Sequence, residues 1–181
     1  RGRMRVDLYD DGIGFVELVD KMGTDLTVVN AARVSLGKHK ESMDAKDEKL
    51  INYLVGHKHT STFEHNYVTF RIKVPIYIRS QHHRHRTWSY NEISRRYTDF
   101  NIEFYEPKTF RKQSKSNRQA SDINSSFNPH MPSKALSVLA SYRVREHHRE
   151  SLELYNKLME TGVCREQARG VLPQNMYTEY Y

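Results

Sequence analysis

Cysteine is nearly absent. Cys164 is the one thiol in 181 residues, which excludes an internal disulfide framework and fits a reducing compartment. Long apolar runs are missing as well: nowhere do about 18 apolar residues follow one another, so no transmembrane helix is expected. The opening Arg1-Gly-Arg-Met lacks the apolar centre of a signal peptide, and a cytoplasmic location is the expectation. Met4 followed by Arg-Val-Asp-Leu reads as a natural start, with residues 1–3 a cloning remnant. What remains is a polar chain, 37% hydrophobic and 28% charged, long enough for one domain with a core and short for two. Acidic residues are the scarcer sign, and the net charge of +7 favours anionic partners: nucleic acid, nucleotides or phosphorylated metabolites.

Hydrophobic patterning places the elements. Met4 to Tyr9 and Phe15 to Val19 read as short strands around the turn-forming Asp10-Asp-Gly-Ile-Gly. Thr24 or Asp25 can cap a helix through about Leu36, with Gly37 as its stop, and a second helix carries Leu50, Ile51, Leu54 and Val55 ahead of Gly56. Val68, Phe70, Ile72 and Val74 alternate with polar neighbours as the buried face of a strand. Pro75 can end that strand and open a short helix from Ile76 to about Arg84, on which Gln81 and Arg84 share a face. Asn101 to Tyr105 reads as a strand closed by Pro107. Lys108 to Ser133 has few apolar residues and reads as a mobile loop or partly disordered insertion. A long helix is expected from Lys134 to Thr161, with Leu152, Tyr155, Leu158 and Met159 on its inner face and Gly162 after it. One more helical piece spans Arg165 to Leu172 ahead of Pro173.

Chemistry concentrates in Gln81–Tyr97, where four arginines, three histidines, Glu92, two serines and three aromatics share seventeen residues. Arginine forks suit phosphate and carboxylate oxygens. Trp88, Tyr90 and Tyr97 offer flat surfaces that a solvated charge run has little use for, so the stretch suits something anionic and flat. Basic residues interleaved with aromatics can also neutralise and stack a single strand of nucleic acid. Gln81, Asn91 and Glu92 supply the directional hydrogen bonds of a pocket that orients one ring, which favours the pocket. Other chemistries are weaker. His82, His83 and His85 sit too close in sequence to converge from one helix face on a metal, and His57, His59 and His65 lack an evident cluster of further ligands. Ser89 and Ser94 lie outside a Gly-x-Ser-x-Gly elbow. Cys164 reads better as a small buried hydrophobe than as a nucleophile.

Arg84-His-Arg86, seven residues, then Ser94 resembles the signature of the flavin-dependent thymidylate synthases. Phe15-Val-Glu-Leu-Val-Asp, Asn30-Ala-Ala-Arg-Val-Ser35, Thr62-Phe-Glu-His65, Ser89-Tyr-Asn-Glu-Ile-Ser94 and Ala168-Arg-Gly-Val-Leu-Pro173 are similar to further family segments, in family order over most of Met4 to Thr178. The resemblance implies one α+β domain over residues 4–181, a twisted, mostly antiparallel sheet with flanking helices. It implies an enzyme that methylates dUMP to dTMP, with methylenetetrahydrofolate as carbon donor and FAD, reduced by NADPH, as hydride carrier. It places Gln81, Arg84, Glu92, Ser94, Arg95, Arg96 and Arg169 around dUMP, with Ser94 and Arg169 in catalytic roles and Ser94 positioning the uracil. It places His59, Ser61, Arg84, His85, Arg86, Asn91 and Glu92 around FAD, with no metal. It further implies a homotetramer with active sites shared between subunits, no membrane association and no nucleic-acid partner.

Two departures accompany the resemblance. Arg95 stands where the family often has a small residue. The family also continues past a segment like Tyr177-Thr178 with an Asn-x-Arg-Ser stretch and a later Leu-Arg, so the 181 residues alone are expected to be a poor catalyst. The alternative from another class is a nucleotide- or single-strand-binding module that kept the fold and lost catalysis; a metal-dependent hydrolase is the third.

Overall fold

The structure is a computed structural model that describes residues 4–98, 101–133 and 136–181. Separate helices and antiparallel strands make it α+β, as expected. Strand β1 (Arg5–Asp7) pairs antiparallel with β2 (Phe15–Met22), Val6 opposite Val16. Helix α1 (Asp25–Arg33) continues as a 3₁₀ turn over Val34–Leu36, and Gly37 stops it in the left-handed region at φ 62°. Helix α2 (Ala45–Gly56) runs one residue further than its sequence stop. Gly56 is its last residue, and Lys58, at φ 56°, takes the left-handed conformation instead. Strand β3 (Tyr67–Pro75) leads into α3 (Ile76–His82), with Pro75 as the residue before the first helical turn. The four-stranded sheet has the order β1-β2-β3-β8, where β8 is Tyr177–Tyr180. The alternation in β3 is only half realised: Val68 is exposed, and burial begins at Ile72 and Val74.

The chain divides into two compact units, one of the residues up to Leu8 with Phe15–Ile72 and Tyr181, the other of Tyr9–Gly14 with Lys73–Tyr180. In the first, Phe15, Val28, Val29, Leu54 and Ile72 are buried together with two carboxylates, Glu17 and the fully buried Asp47. Asp47 receives Arg33 Nη2 at 2.6 Å and the Lys40 ammonium, and it closes a reciprocal capping box with Asp44 at the start of α2. Gly23, at φ 89°, passes Asn66 so closely that a Cβ would lie 1.7 Å from Asn66 Oδ1, which leaves glycine as the residue that fits there.

Lys40 also holds Asp44 Oδ2 at 2.6 Å. That ion pair first, then the Lys46 and Asp47 N–H groups, lowers the Asp44 pKa from 3.8 to about 2. A carboxylate whose folded value lies below its unfolded one stabilises the fold above about pH 4 and loses that contribution as pH falls toward 2. Thermal midpoints measured from pH 6 down to pH 2.5 should therefore drop most steeply below pH 4. Lys40→Met should flatten that dependence, and an unchanged slope would remove the pair from the acid response.

The second unit departs most from sequence expectation. Lys108 to Ser133 is no loop: β4 (Phe110–Gln113) and β5 (Ser121–Phe127) form an antiparallel hairpin, and β6 (His130–Ser133) pairs with β7 (Leu136–Leu139). A polar side chain closes the first hairpin, since Gln113 Nε2 reaches the carbonyls of Asn117, Arg118 and Ala120 at 2.9–3.2 Å. The long helix α4 (Ala140–Glu160) accordingly starts later than expected; Lys134 and Ala135 lie outside the described residues. Its first N–H groups are satisfied by the residues just before β6, which lie beside Leu139 at the open end of the β6–β7 hairpin, Ala140 N donating to Pro129 O at 2.8 Å and Ser141 N to Asn128 Oδ1 at 3.0 Å. Its inner face centres on His148, Ser151 and Tyr155, with Leu152, Leu158 and Met159 half-buried beside them. Asn101 to Tyr105 is not a strand; it makes one bridge, Phe104 to Met176. Helix α5 (Arg165–Ala168) and a 3₁₀ turn over Arg169–Val171 fill the expected Arg165–Leu172 piece.

Candidate active site

An open cavity of about 510 Å³ lies within the second unit, a size suited to a nucleotide-sized ligand. Three backbone segments build it. The first turn of α3 brings Ile76 and Arg79, the loop after α3 brings Glu92 to Arg95, and the α5 region with the chain after it brings Glu166, Arg169, Gln174 and Thr178. Ala168 is fully buried. It anchors the short helical piece from which Arg169 projects.

The charges in the cavity have different freedoms. Glu92 is already engaged, since Thr178 donates its hydroxyl to Oε1 at 2.6 Å and Arg79 Nε lies 3.1 Å from the same oxygen. The Arg79 contact lacks hydrogen-bond geometry and is an ion pair only. Arg95 is buried, and its guanidinium leans on Asn101 O at 3.4 Å. Its bulk therefore turns inward. Arg169 has no acidic side chain and no hydrogen-bond acceptor against its guanidinium among the described residues, and it is the cavity cation most available to an anion. Ser94 Oγ accepts from the Arg96 N–H at 3.2 Å, and no imidazole is hydrogen-bonded to it among the described residues.

Of the residues assigned to dUMP by resemblance, Glu92, Ser94, Arg95 and Arg169 line this cavity, whereas Gln81, Arg84 and Arg96 do not. Gln81 and Arg84 also do not share a helix face. Helix α3 ends at His82, and Arg84 N donates to Gln81 O at 3.2 Å in the turn that follows. Arg96 is exposed, its guanidinium 5.9 Å from the Tyr97 ring. Arg84, His85, Arg86 and Asn91 are exposed on one loop. His59 and Ser61 are exposed in the first unit, where the Tyr53 ring stacks on His57 at 4.0 Å and meets His59 edge-on at 6.0 Å. Cys164 corrects its expectation: it is exposed at the start of α5, its thiol 3.8 Å from Gln167 Oε1. Among the described residues no three His, Cys, Asp or Glu side chains gather as a metal site needs, and no helix is long and apolar enough to cross a membrane.

Sequence reasoning missed Arg79, Glu166, Gln174 and Thr178. Gln174 directly follows the matched segment ending in Pro173, and Arg79 lies two residues before Gln81; proximity to those motifs was the available signal. Thr178 lies in the family-like Tyr177-Thr178 segment, which marked its place but not its role.

The profile of the family described as thymidylate synthase complementing protein matches residues 17–181. Flavin-dependent thymidylate synthase of Thermosipho melanesiensis is 42% identical over 168 residues, covering 93% of this chain and 70% of that protein. The chain belongs to the flavin-dependent thymidylate synthase family. The enzyme of the same description from Thermus thermophilus is 47% identical over 180 residues, 99% of this chain, and the chain spans 62% of that relative's length. Among solved structures, the UMP/dUMP methylase PolB from Streptomyces cacaoi bound with 5-Br dUMP aligns with a TM-score of 0.75 at 31% identity, over 97% of this chain and 73% of PolB. The same methylase bound with 5-Br UMP gives 0.68 at 33% identity, over 91% and 68%. The family's signature arginines thus sit on the exposed loop, and its serine sits in the cavity.

Proposed function

We propose that the cavity between α3, the 92–95 segment and the α5 region is a dUMP site, and that the chain serves reductive methylation of dUMP to dTMP. The observation that carries this is the pairing of an unengaged Arg169 with Ser94 and Gln174 around one nucleotide-sized space. Arg169 would meet the phosphate, helped by Arg95. Gln174 offers a donor and an acceptor together, which matches the amide edge of a uracil, and the Ser94 hydroxyl would fix the ring and polarise a carbonyl as charge builds toward C5. The Glu92–Thr178–Arg79 group holds the cavity wall.

The exposed loop fits a flavin dinucleotide. Arg84, His85 and Arg86 are consecutive, and neither guanidinium is engaged by an acidic side chain among the described residues, so both forks are open to a diphosphate, with Asn91 on the same loop. FAD bound there would supply the hydride chemistry, with NADPH as reductant and methylenetetrahydrofolate as carbon donor. Arg84 would serve the flavin, since it does not line the dUMP cavity. His59 and Ser61 are assigned to the flavin as well, in an assembly of four chains whose sites are shared, in the cytoplasm.

Purified protein loaded with FAD is the test. The flavin absorbance should bleach on adding NADPH, and dUMP should change the bleaching rate. Protein that takes up no FAD but retards single-stranded oligonucleotides would replace this reading with that of a binding module.

A further inference from the structure

Beneath the arginine loop lies a set of rings that neither ligand set includes. The Tyr90 hydroxyl reaches back across the loop and donates toward two carbonyls, His82 O at 3.1 Å and His85 O at 2.8 Å. The turn it spans is also closed by its own backbone, Arg84 N to Gln81 O at 3.2 Å and His85 N to His82 O at 3.0 Å. From below, the buried Tyr180 places its hydroxyl 2.8 Å from His82 Nδ1. Ring contacts complete the packing: His83 on Tyr90 at 4.0 Å, His82 edge-on to Trp88 at 4.7 Å, and Tyr180 edge-on to His83 at 5.0 Å. Strand β8 fastens the far end of the loop through the Glu92–Tyr180 bridge and Ile93 N to Glu179 O at 3.0 Å.

Protonation suits this arrangement. Burial first, then the neighbouring His83 and His85, lowers His82 below the ordinary imidazole value, so it is neutral and can accept at Nδ1. Burial first, then the nearby Tyr90 and Glu92, pushes Tyr180 up to about 12, so its hydroxyl keeps the proton it donates. The backbone of residues 82–92 is thus held by tyrosine hydroxyls and rings on one side, while Arg84, His85 and Arg86 are exposed.

We infer that Tyr90 and Tyr180 are positioning residues: they brace the 82–92 loop so that the Arg84 and Arg86 guanidiniums are set in advance for a diphosphate. Binding then avoids part of the cost of ordering two long side chains and their turn. The inference rests on the flavin reading for its ligand, but the brace itself can be read without any ligand.

Two measurements on Tyr90→Phe decide it, with Tyr180→Phe as the second variant should the first fail to fold. The first is amide hydrogen exchange, where the Arg84 and His85 amides should exchange about tenfold faster than in the unaltered protein, as expected for a lost hydrogen bond of about 1.4 kcal/mol. Unchanged protection would overturn the brace whether or not flavin binds. The second is FAD affinity in a double-mutant cycle. Tyr90→Phe should weaken FAD about tenfold, yet cost less than about twofold when added to Arg84→Ala with Arg86→Ala, because its effect runs through those side chains. Additive losses would show a general structural role and overturn the positioning claim. If the unaltered protein takes up no FAD, the flavin reading fails, and the exchange result alone judges the brace.

Discussion

Replacing Arg169 by alanine is expected to weaken dUMP binding by roughly 10- to 100-fold, the equivalent of one lost charge-assisted hydrogen bond at about 1.5–3 kcal/mol. The expectation rests on how the cavity cations differ. Arg79 is spent on Glu92, and Arg95 leans on a carbonyl. Arg169 is held by the backbone beside the fully buried Ala168, with its own charge unengaged. Arg169→Lys should lose less, because it keeps the charge and gives up only the planar fork. Flavin affinity should be unchanged in both variants, since FAD is assigned to the other loop. Calorimetric titration of dUMP alongside flavin absorbance separates the outcomes, and parallel loss of both ligands would count against the division of the sites.

Asp47→Ala should be the most damaging single change to stability in the first unit. It removes the fully buried carboxylate that Arg33 and Lys40 share, leaves Lys40 with Asp44 and Arg33 without its ion-pair partner, and opens the capping box at the start of α2. Breaking a buried pair from one side is far costlier than never having built it. The thermal midpoint should fall on the order of 10 °C for a chain of this size. A triple variant that also makes Arg33 and Lys40 into methionines should recover part of the loss; failure to recover any would place the damage in the helix cap. The midpoint of thermal unfolding followed by circular dichroism measures both.

How far the fold and the site were legible follows from where each one's energy comes from. Helices α1 and α2 were visible because apolar periodicity and glycine stops are local, and each ends at or beside its expected glycine. Strand β3 was visible for the same reason. The alternation in β3 nevertheless overstated its burial, since whether Val68 is covered depends on what packs against it. The 110–133 region was misread because its hairpins rely on backbone pairing and on the Gln113 amide, with little apolar patterning to announce them. The same hidden pairing delayed the start of α4 to Ala140, whose early N–H groups are capped by Asn128 and Pro129 from across the chain.

The site shows the same division. Glu92, Ser94, Arg95 and Arg169 were named from motifs, and they converge on the cavity although about 75 residues separate Ser94 from Arg169. Thr178 and Arg79 were not named as site residues. Their importance lies in orienting Glu92, a role that exists only once β8 lies beside α3. Tyr90 was legible only as an aromatic near arginines, and nothing in the sequence marked Tyr180; that these two rings and His82 form one packed support under the loop is a property of the folded chain.

The central claim is that the cavity bearing Ser94, Arg169 and Gln174 holds a uridine monophosphate, and a heavy-atom derivative tests it most directly. Crystals of the protein with 5-bromo-dUMP should show an anomalous bromine peak inside that cavity, with the phosphate against Arg169. A bromine peak elsewhere, with the cavity empty of nucleotide, would contradict the account.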